Sequence, residues 1–374
     1  MVQSRLSGGR ARPLTVLMAA ATVVAMLAAG CSSSSKKTTG GDGSTGKKAG
    51  GGTVAFLLPE NVTARWEGQD KPFFVAALKK YAPDAKVEVE NALNDQSKQQ
   101  AQAESALAKG AKVLVVIPVD QKGAARIVTT AKQQNVPVVA YDRLINDSPV
   151  ADYVSVDGVK IGELQGKWLA EHTSKGANIA VINGSPTDDN AHLFNKGYLS
   201  VLNPLFSSGE RKKIAEVSTP GWEPPKAQAE MEQILTSSNN NVQGVLSAND
   251  GMAAAIIAAL RSQHLAGKVP VTGLDGTAEG LNLILRGEQG MSAYRSLKEQ
   301  ADKAAQIAAA LMQGKAPPST LFNGATKNNG AVDVPWAQVT PQIIDKSNVD
   351  LVISEGAAAK ADVCKGVAAG TGPC

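Results

Sequence analysis

Cysteine and histidine are nearly absent from this chain: among its 374 residues there are three of each, widely scattered. A Cys/His zinc cluster needs several such ligands at close spacing and is therefore excluded. Aromatic residues are also scarce, 15 in all and four of them Trp, so the position of each indole carries information. Long apolar runs are missing as well. Leu14–Ala29 stops at 16 residues, short of the ~20 that cross a bilayer as a helix. What is present is a 43% hydrophobic content, enough for the cores of two or three domains at this length, and disorder of the whole chain is excluded.

The N-terminus reads as an address and an anchor. Residues 1–30 hold Arg5, Arg10 and Arg12 without an acid, then the apolar run, then small residues ahead of Cys31, which is the order of a signal peptide. The segment LAAGC (Leu27–Cys31) resembles the lipobox of bacterial lipoproteins, with Ala28 where Leu is usual. That resemblance implies lipidation of the Cys31 thiol and a lipoprotein held on the outer face of the cytoplasmic membrane. Residues 32–52, SSSSKKTTGGDGSTGKKAGGG, are a Ser/Gly/Lys linker that has nothing to bury and acts as a tether of roughly 25 Å. Within it GDGSTGKK nearly spells a phosphate-binding loop, but Lys48 stands where Ser or Thr would hold magnesium and no strand precedes it. No nucleotide, metal or other cofactor is expected from it. At the far end, Cys364 and Cys374 lie in CKGVAAGTGPC and are expected to pair, as thiols of an exported chain do.

The net charge of +4 is unevenly placed. Residues 1–30 carry three Arg, and the linker sets Lys36, Lys37, Lys47 and Lys48 against Asp42, which leaves −2 on the part from Thr53 onward. The basic excess belongs to the address and the tether, and gives no reason to expect nucleic acid as a partner.

From Thr53 onward, short Val/Ile-rich runs alternate with Ala/Leu/Lys/Glu-rich helical stretches. The runs are TVAFLL (53–58), KVEVENA (86–92), KVLVVIPV (112–119), VPVVAYD (136–142), YVSVD (153–157), NIAVINGS (178–185), KIAEVST (213–219), GVLSAN (244–249), VPVTGLD (269–275) and MSAYR (291–295). Apolar strands separated by helices mean parallel sheets covered on both faces, and the length suits two doubly wound α/β domains.

In such sheets ligands bind beyond the carboxyl ends of the strands. Those ends carry Arg65-Trp66, Asp142-Arg143, Asp188-Asp189-Asn190, Trp222, Asn249-Asp250, Asp275 and Tyr294-Arg295. Asp142, Asn249 and Asp275 also fit the common use of these residues as helix N-caps. Arg65 and Arg143 also fit surface charges, and Trp66 the packed face of a first helix. Trp168 and Trp336 are assigned to packing, and His172, His192 and His264 show no ligand spacing. The joint pattern over seven strand ends favours a site. Asp accepts, Asn donates and accepts, Arg spans adjacent hydroxyls as a fork, and a flat indole packs on the C–H face of a pyranose. That set suits a sugar; a phosphate site would avoid four carboxylates.

The segments AYDRLIND (Ala140–Asp147), GSPTDDNAHLF (Gly184–Phe194) and LSANDGMAAAIIAAL (Leu246–Leu260), with ARWEGQD, VDGVKIGELQGKWL, GWEPPKA and VTGLDGTAEGL in collinear order, resemble the D-xylose-binding and multi-sugar-binding branch of the type 1 periplasmic binding proteins. The likeness covers roughly residues 53–350. It implies two lobes joined by a three-strand hinge: 53–157 plus 296–326, and 158–295 plus 327–374, with crossings near Asp157, Arg295 and Thr326. Carried over position by position, the sugar contacts implied are Arg65, Trp66, Asp142, Arg143, Asp189, Asn190, Trp222, Asn249, Asp275 and Arg295. Asp189 stands where the family carries Asn, Arg295 where xylose binders carry Lys, and Leu274 where a polar residue is usual.

The function implied is a monomeric receptor for one monosaccharide, D-xylose or a related aldose, serving the permease subunits of an ABC importer. An accessory that reports the same sugar to a chemoreceptor or histidine kinase would use the same cleft. An enzyme acting through Asp142 and Asp275 is disfavoured by the lack of a nucleophile, metal set or cofactor loop, and a sugar-responsive repressor by a signal peptide where its DNA-binding domain would stand.

Overall fold

The computed structural model describes residues 51–374; the expected signal peptide, Cys31 and the expected linker as far as Gly50 lie outside the described residues. In chain order the strands are β1 (Thr53–Leu58), β2 (Lys86–Asn91), β3 (Ala111–Val116), β4 (Val138–Tyr141), β5 (Asp152–Val156), β6 (Ala177–Asn183), β7 (Arg211–Ser218), β8 (Gly244–Ser247), β9 (Ser292–Tyr294), β10 (Thr326–Asn328), β11 (Asp333–Val339) and β12 (Gln342–Ile344). The main helices are α1 (Lys71–Tyr81), α2 (Gln96–Ala108), α3 (Ala125–Gln133), α4 (Gly158–Glu171), α5 (Asp189–Ser207), α6 (Pro224–Ser237), α7 (Asp250–Ser262), α8 (Ala278–Leu285) and α9 (Leu297–Met312).

The first lobe is built on a sheet of order β10-β11-β5-β4-β3-β1-β2, parallel except at β10. Strand β1 shows why it lies mid-sheet. Val54, Phe56 and Leu58 point into one apolar layer with Phe74 and Leu78 of α1 and the alanines of α9. Ala55 and Leu57 point into another with Leu107 of α2 and Ile127 of α3. A strand apolar on both faces is stable only between two helical layers, and each large side chain so buried contributes about 1.5–3 kcal/mol.

The second lobe holds the parallel sheet β7-β6-β8 and the antiparallel pair β12-β9. The run 269–275 joins these only through isolated bridges, Val245 to Val271 and Leu274 to Ala293, and does not form the full strand its apolar pattern suggests. Helices α4 and α5 pack at backbone contact. A Cβ on Gly162 would lie 2.1 Å from the Phe194 carbonyl oxygen, and one on Gly197 would lie 2.1 Å from that of Val159. Their packing fixes where α5 begins, and hence where its first residues point.

Among the described residues the chain crosses between the lobes three times: between β5 and α4 at Asp157, between β9 and α9 at Arg295 and Ser296, and between β11 and β12 at Thr340 and Pro341. The third crossing is not at Thr326. Residues 326–339 form the β10–β11 hairpin, and β11 pairs in parallel with β5, Trp336 opposite Tyr153 and Val339 opposite Val156. The first lobe therefore keeps residues 327–339, which the sequence reading had given to the second. Their short alternating pattern shows less clearly than the apolar runs before it. Trp336 stacks on Tyr153 with ring centroids 5.9 Å apart, and Trp168 stacks on His172 at 3.9 Å. At the C-terminus Cys364 and Cys374 are joined, with Cα atoms 5.4 Å apart.

Candidate ligand-binding site

A small cavity lies between the lobes at the carboxyl ends of their strands. From the first lobe, the turn after β1 supplies Thr63, Arg65 and Trp66, and the end of β4 supplies Asp142 and Arg143. From the second come Asp188, Asn190 and Phe194 at the start of α5, Trp222 after β7, Asn249 after β8, and Leu274 with Asp275. Arg295 closes the wall at the second crossing.

Each guanidinium is committed to carboxylates. Arg65 grips Asp70 with two bonds of 2.7 Å, from Nε to Oδ2 and from Nη2 to Oδ1, and reaches Asp142 Oδ2 from Nη1 at 2.9 Å. Arg295 donates to Asp275 Oδ1 and to Asp142 Oδ2, each at 2.8 Å. Asp142 Oδ2 also accepts from Gln300 at 3.1 Å. Arg143 pairs across the lobes with Asp188, Nε to Oδ2 at 2.7 Å. Burial alone would lower the Arg65 pKa, but Asp142 and Asp70 outweigh it and hold the charge firmly. Burial raises the Asp70 and Asp188 carboxyls, against the pull of Arg65 and Arg143 respectively. It pushes Asp275 up to about 8 against the pull of Arg65, with neighbouring carboxylates adding to the rise. These pairs place the side chains without a ligand, so less ordering is left for binding to do.

The backbone is strained where the cavity is lined. Asp142 has φ 61°, Trp222 φ 59° and Asp275 φ 107°, values rarely adopted by residues with side chains and met where the surrounding fold enforces them. Gly184 explains how Trp222 lies flat: an added Cβ there would stand 2.0 Å from the indole ring. The Trp222 N–H donates to Asp188 at 3.0 Å, and the ring meets Phe194 edge-on at 6.4 Å. On the opposite wall the Trp66 N–H donates to buried Glu60, and the Arg65 guanidinium covers the ring 4.2 Å from its centre. Several polar groups of the wall have no protein partner among the described residues. These are Asn190 Oδ1, which accepts, Asn249 Nδ2 and Arg295 Nε, which donate, and Asp275 Oδ2, which accepts when ionised and donates when protonated.

Nine of the ten residues selected from sequence line this cavity; Asp189 does not. Asp188 is the N-cap of α5 and turns inward, while Asp189, one helical step further on, points to the rim and accepts from Asn146 of the first lobe. Thr63 and Phe194 were missed, and Asp188, noted at a strand end, was passed over in favour of Asp189. The spacing of four between Asn190 and Phe194, which puts them on one helical face, is the signal that could have found Phe194.

The profile of the periplasmic binding protein domain matches residues 54–316. The chain belongs to the periplasmic binding protein family. Its α/β architecture is the type 1 fold of that family. This periplasmic binding protein is 38% identical to the D-xylose-binding periplasmic protein of Escherichia coli over 78% of this chain and 86% of the relative. It is 32% identical to the multiple sugar-binding periplasmic receptor ChvE of Rhizobium radiobacter, over 84% and 92% respectively. Among solved structures, a carbohydrate transporter solute-binding protein of Chloroflexus aurantiacus in complex with D-glucose superposes with a TM-score of 0.75. That pair shares 28% identity over 83% of this chain and 97% of the other.

Proposed function

We propose that this periplasmic binding protein is an extracytoplasmic receptor that binds one neutral aldose between its lobes, D-xylose or a close relative, and hands it to an ABC importer. The observation that carries the reading is the wall between Trp66 and Trp222, where unpaired polar groups of Asn190, Asn249, Asp275 and Arg295 converge on one cavity between the lobes. A ring of hydroxyls needs both kinds of partner, and its C–H faces need flat apolar walls. The names of the relatives, which bind xylose or several sugars, support the same class. With every cavity guanidinium already committed to carboxylates, an anionic sugar would meet an excess of like charge.

A binder is favoured over an enzyme by Arg295, which ties down one oxygen of Asp142 and one of Asp275. Lipidation of Cys31 and the linker would keep the receptor, as a monomer, at the membrane beside its permease.

A thermal-shift panel of aldopentoses and aldohexoses on residues 53–374 tests the reading. At a hundredfold excess over Kd, D-xylose or a related aldose is expected to raise Tm by roughly 5 °C. No shift with any monosaccharide would sink it.

A further inference from the structure

Outside the cavity, the lobes also touch directly. In the first lobe, the Asn146 N–H donates to the Gln121 carbonyl at 2.9 Å, so the two residues stand side by side at the rim. Both reach over to Asp189 at the start of α5: the Asn146 side-chain amide donates to Asp189 Oδ2, and the Asp189 N–H donates to Gln121 Oε1. Further along the rim, the Asn94 side chain donates to the Gly221 carbonyl at 3.3 Å, beside Trp222. None of Gln121, Asn146, Asp189 and Asn94 lines the cavity.

We infer that Gln121, Asn146 and Asp189 form a clasp that holds the lobes shut and sets how long a bound sugar stays. The inference rests on the reading of the cavity as a sugar site, but the clasp makes its contacts without the ligand. Gln121 is buried: its main-chain carbonyl holds Asn146 beside it, and its side-chain Oε1 receives the N–H of Asp189 at the start of α5. The Asp189 N–H is one of the orphan donors of a helix N-terminus. In the shut form it has a protein acceptor, and in an open form it would turn to water. Asp188 and Asp189 thus divide the labour: the first binds the lobes through the cavity by way of Arg143, and the second binds them at the rim. Clasp residues are positioning residues. Losing one hydrogen bond should speed release and leave encounter, which occurs with the lobes apart, unchanged.

Two readouts on the mature chain test this. For D-xylose and D-glucose, stopped-flow fluorescence of the cavity indoles should show Gln121→Ala and Asn146→Ala dissociating roughly three- to tenfold faster, the worth of one hydrogen bond. Association should stay within about twofold and the order of sugar preference should not change. Asp189→Asn keeps an acceptor for Asn146 and should restore near-normal release, whereas Asp189→Ala should not. Without sugar, spin labels at Lys98→Cys and Glu232→Cys, with Cys31→Ser, should show a short interlobe distance whose population falls in Gln121→Ala and Asn146→Ala. An unchanged distance distribution in both variants overturns the clasp, as does wild-type release. If no aldose binds but the distances respond, the clasp stands and the sugar reading falls. If aldoses bind and the order of preference changes in Asp189→Ala, Asp189 touches the ligand and the clasp is wrong.

Discussion

Arg143 of the first lobe and Asp188 of the second meet across the cavity, Nε to Oδ2 at 2.7 Å, with both side chains buried. Arg143 also donates from Nη1 to the Pro118 carbonyl at 3.2 Å, and its Nη2 stands 4.0 Å from Glu60. It is therefore fixed to the first lobe at its far end and to the second at its near end. Closure brings this charge and the indoles of Trp66 and Trp222 around the same volume, which links domain position to ligand contact in one residue.

Arg143→Ala should leave the protein folded and abolish aldose binding. It removes a ligand-facing cation and leaves Asp188 buried with its carboxylate unpaired, a loss of about 2–5 kcal/mol in comparable interfaces. Titration calorimetry should report a Kd weaker by roughly three-hundredfold, the equivalent of the midpoint of that range. Arg143→Lys should not restore it, because an ammonium cannot serve Asp188 and Pro118 together. Retained affinity with a normal far-UV spectrum would mean that the cavity lies elsewhere.

Gly184→Ala tests whether the Trp222 ring serves as a binding wall. The added methyl would overlap the indole, which must tilt away from the end of β6. Overpacking of this kind costs about 1–3 kcal/mol of stability. Loss of one flat wall should weaken sugar binding roughly three- to tenfold, in line with the worth of an aromatic face. The expected result is a lowered urea midpoint together with a changed tryptophan emission and weaker binding; unchanged affinity would remove Trp222 from the site.

Much of the site was legible because strand ends can be read locally. In a parallel sheet every carboxyl end opens to the same edge, so Asp142, Arg143, Asn249 and Asp275 could be placed together without knowing how the strands pair. The choice between Asp188 and Asp189 was not legible. Adjacent helical residues point about 100° apart, and only the extended backbone of Asp188, φ −111° and ψ 114°, decides which carboxylate faces inward. Asp70 and Gln300 could not be found either. Asp70 sits within the helical turn Trp66–Asp70 and Gln300 in α9, far from any strand end, and they reach the site only through tertiary contacts to Arg65 and Asp142. The third crossing was misplaced for a similar reason: β11 owes its place to pairing with β5, a partner about 180 residues earlier in the chain.

Behind the cavity, Asp250 offers a test of stability against pH that involves no ligand. It is fully buried at the start of α7, and among the described residues no cation pairs with it and its carboxylate accepts only neutral donors. These are the Thr277 N–H at 2.9 Å and its hydroxyl at 3.4 Å, Gln289 Nε2 at 2.8 Å and Ser292 Oγ at 2.8 Å. The same Ser292 oxygen accepts from the Gly276 N–H at 3.0 Å, so Asp250 holds the loop that carries Asp275. Burial pushes the Asp250 carboxyl up to about 6 from an ordinary 3.8, against these hydrogen bonds. Since the folded pKa is the higher one, the folded state keeps a proton that the unfolded chain has lost between those values. The contribution to stability is full below pH 3.8 and falls as pH rises towards 6, by roughly 3 kcal/mol in all. Asp250→Asn has no proton to lose. Urea unfolding at pH 4, 5 and 6 should therefore show the stability of the wild type relative to Asp250→Asn falling as pH rises, and a gap that is constant over this range would show that Asp250 titrates normally in the fold.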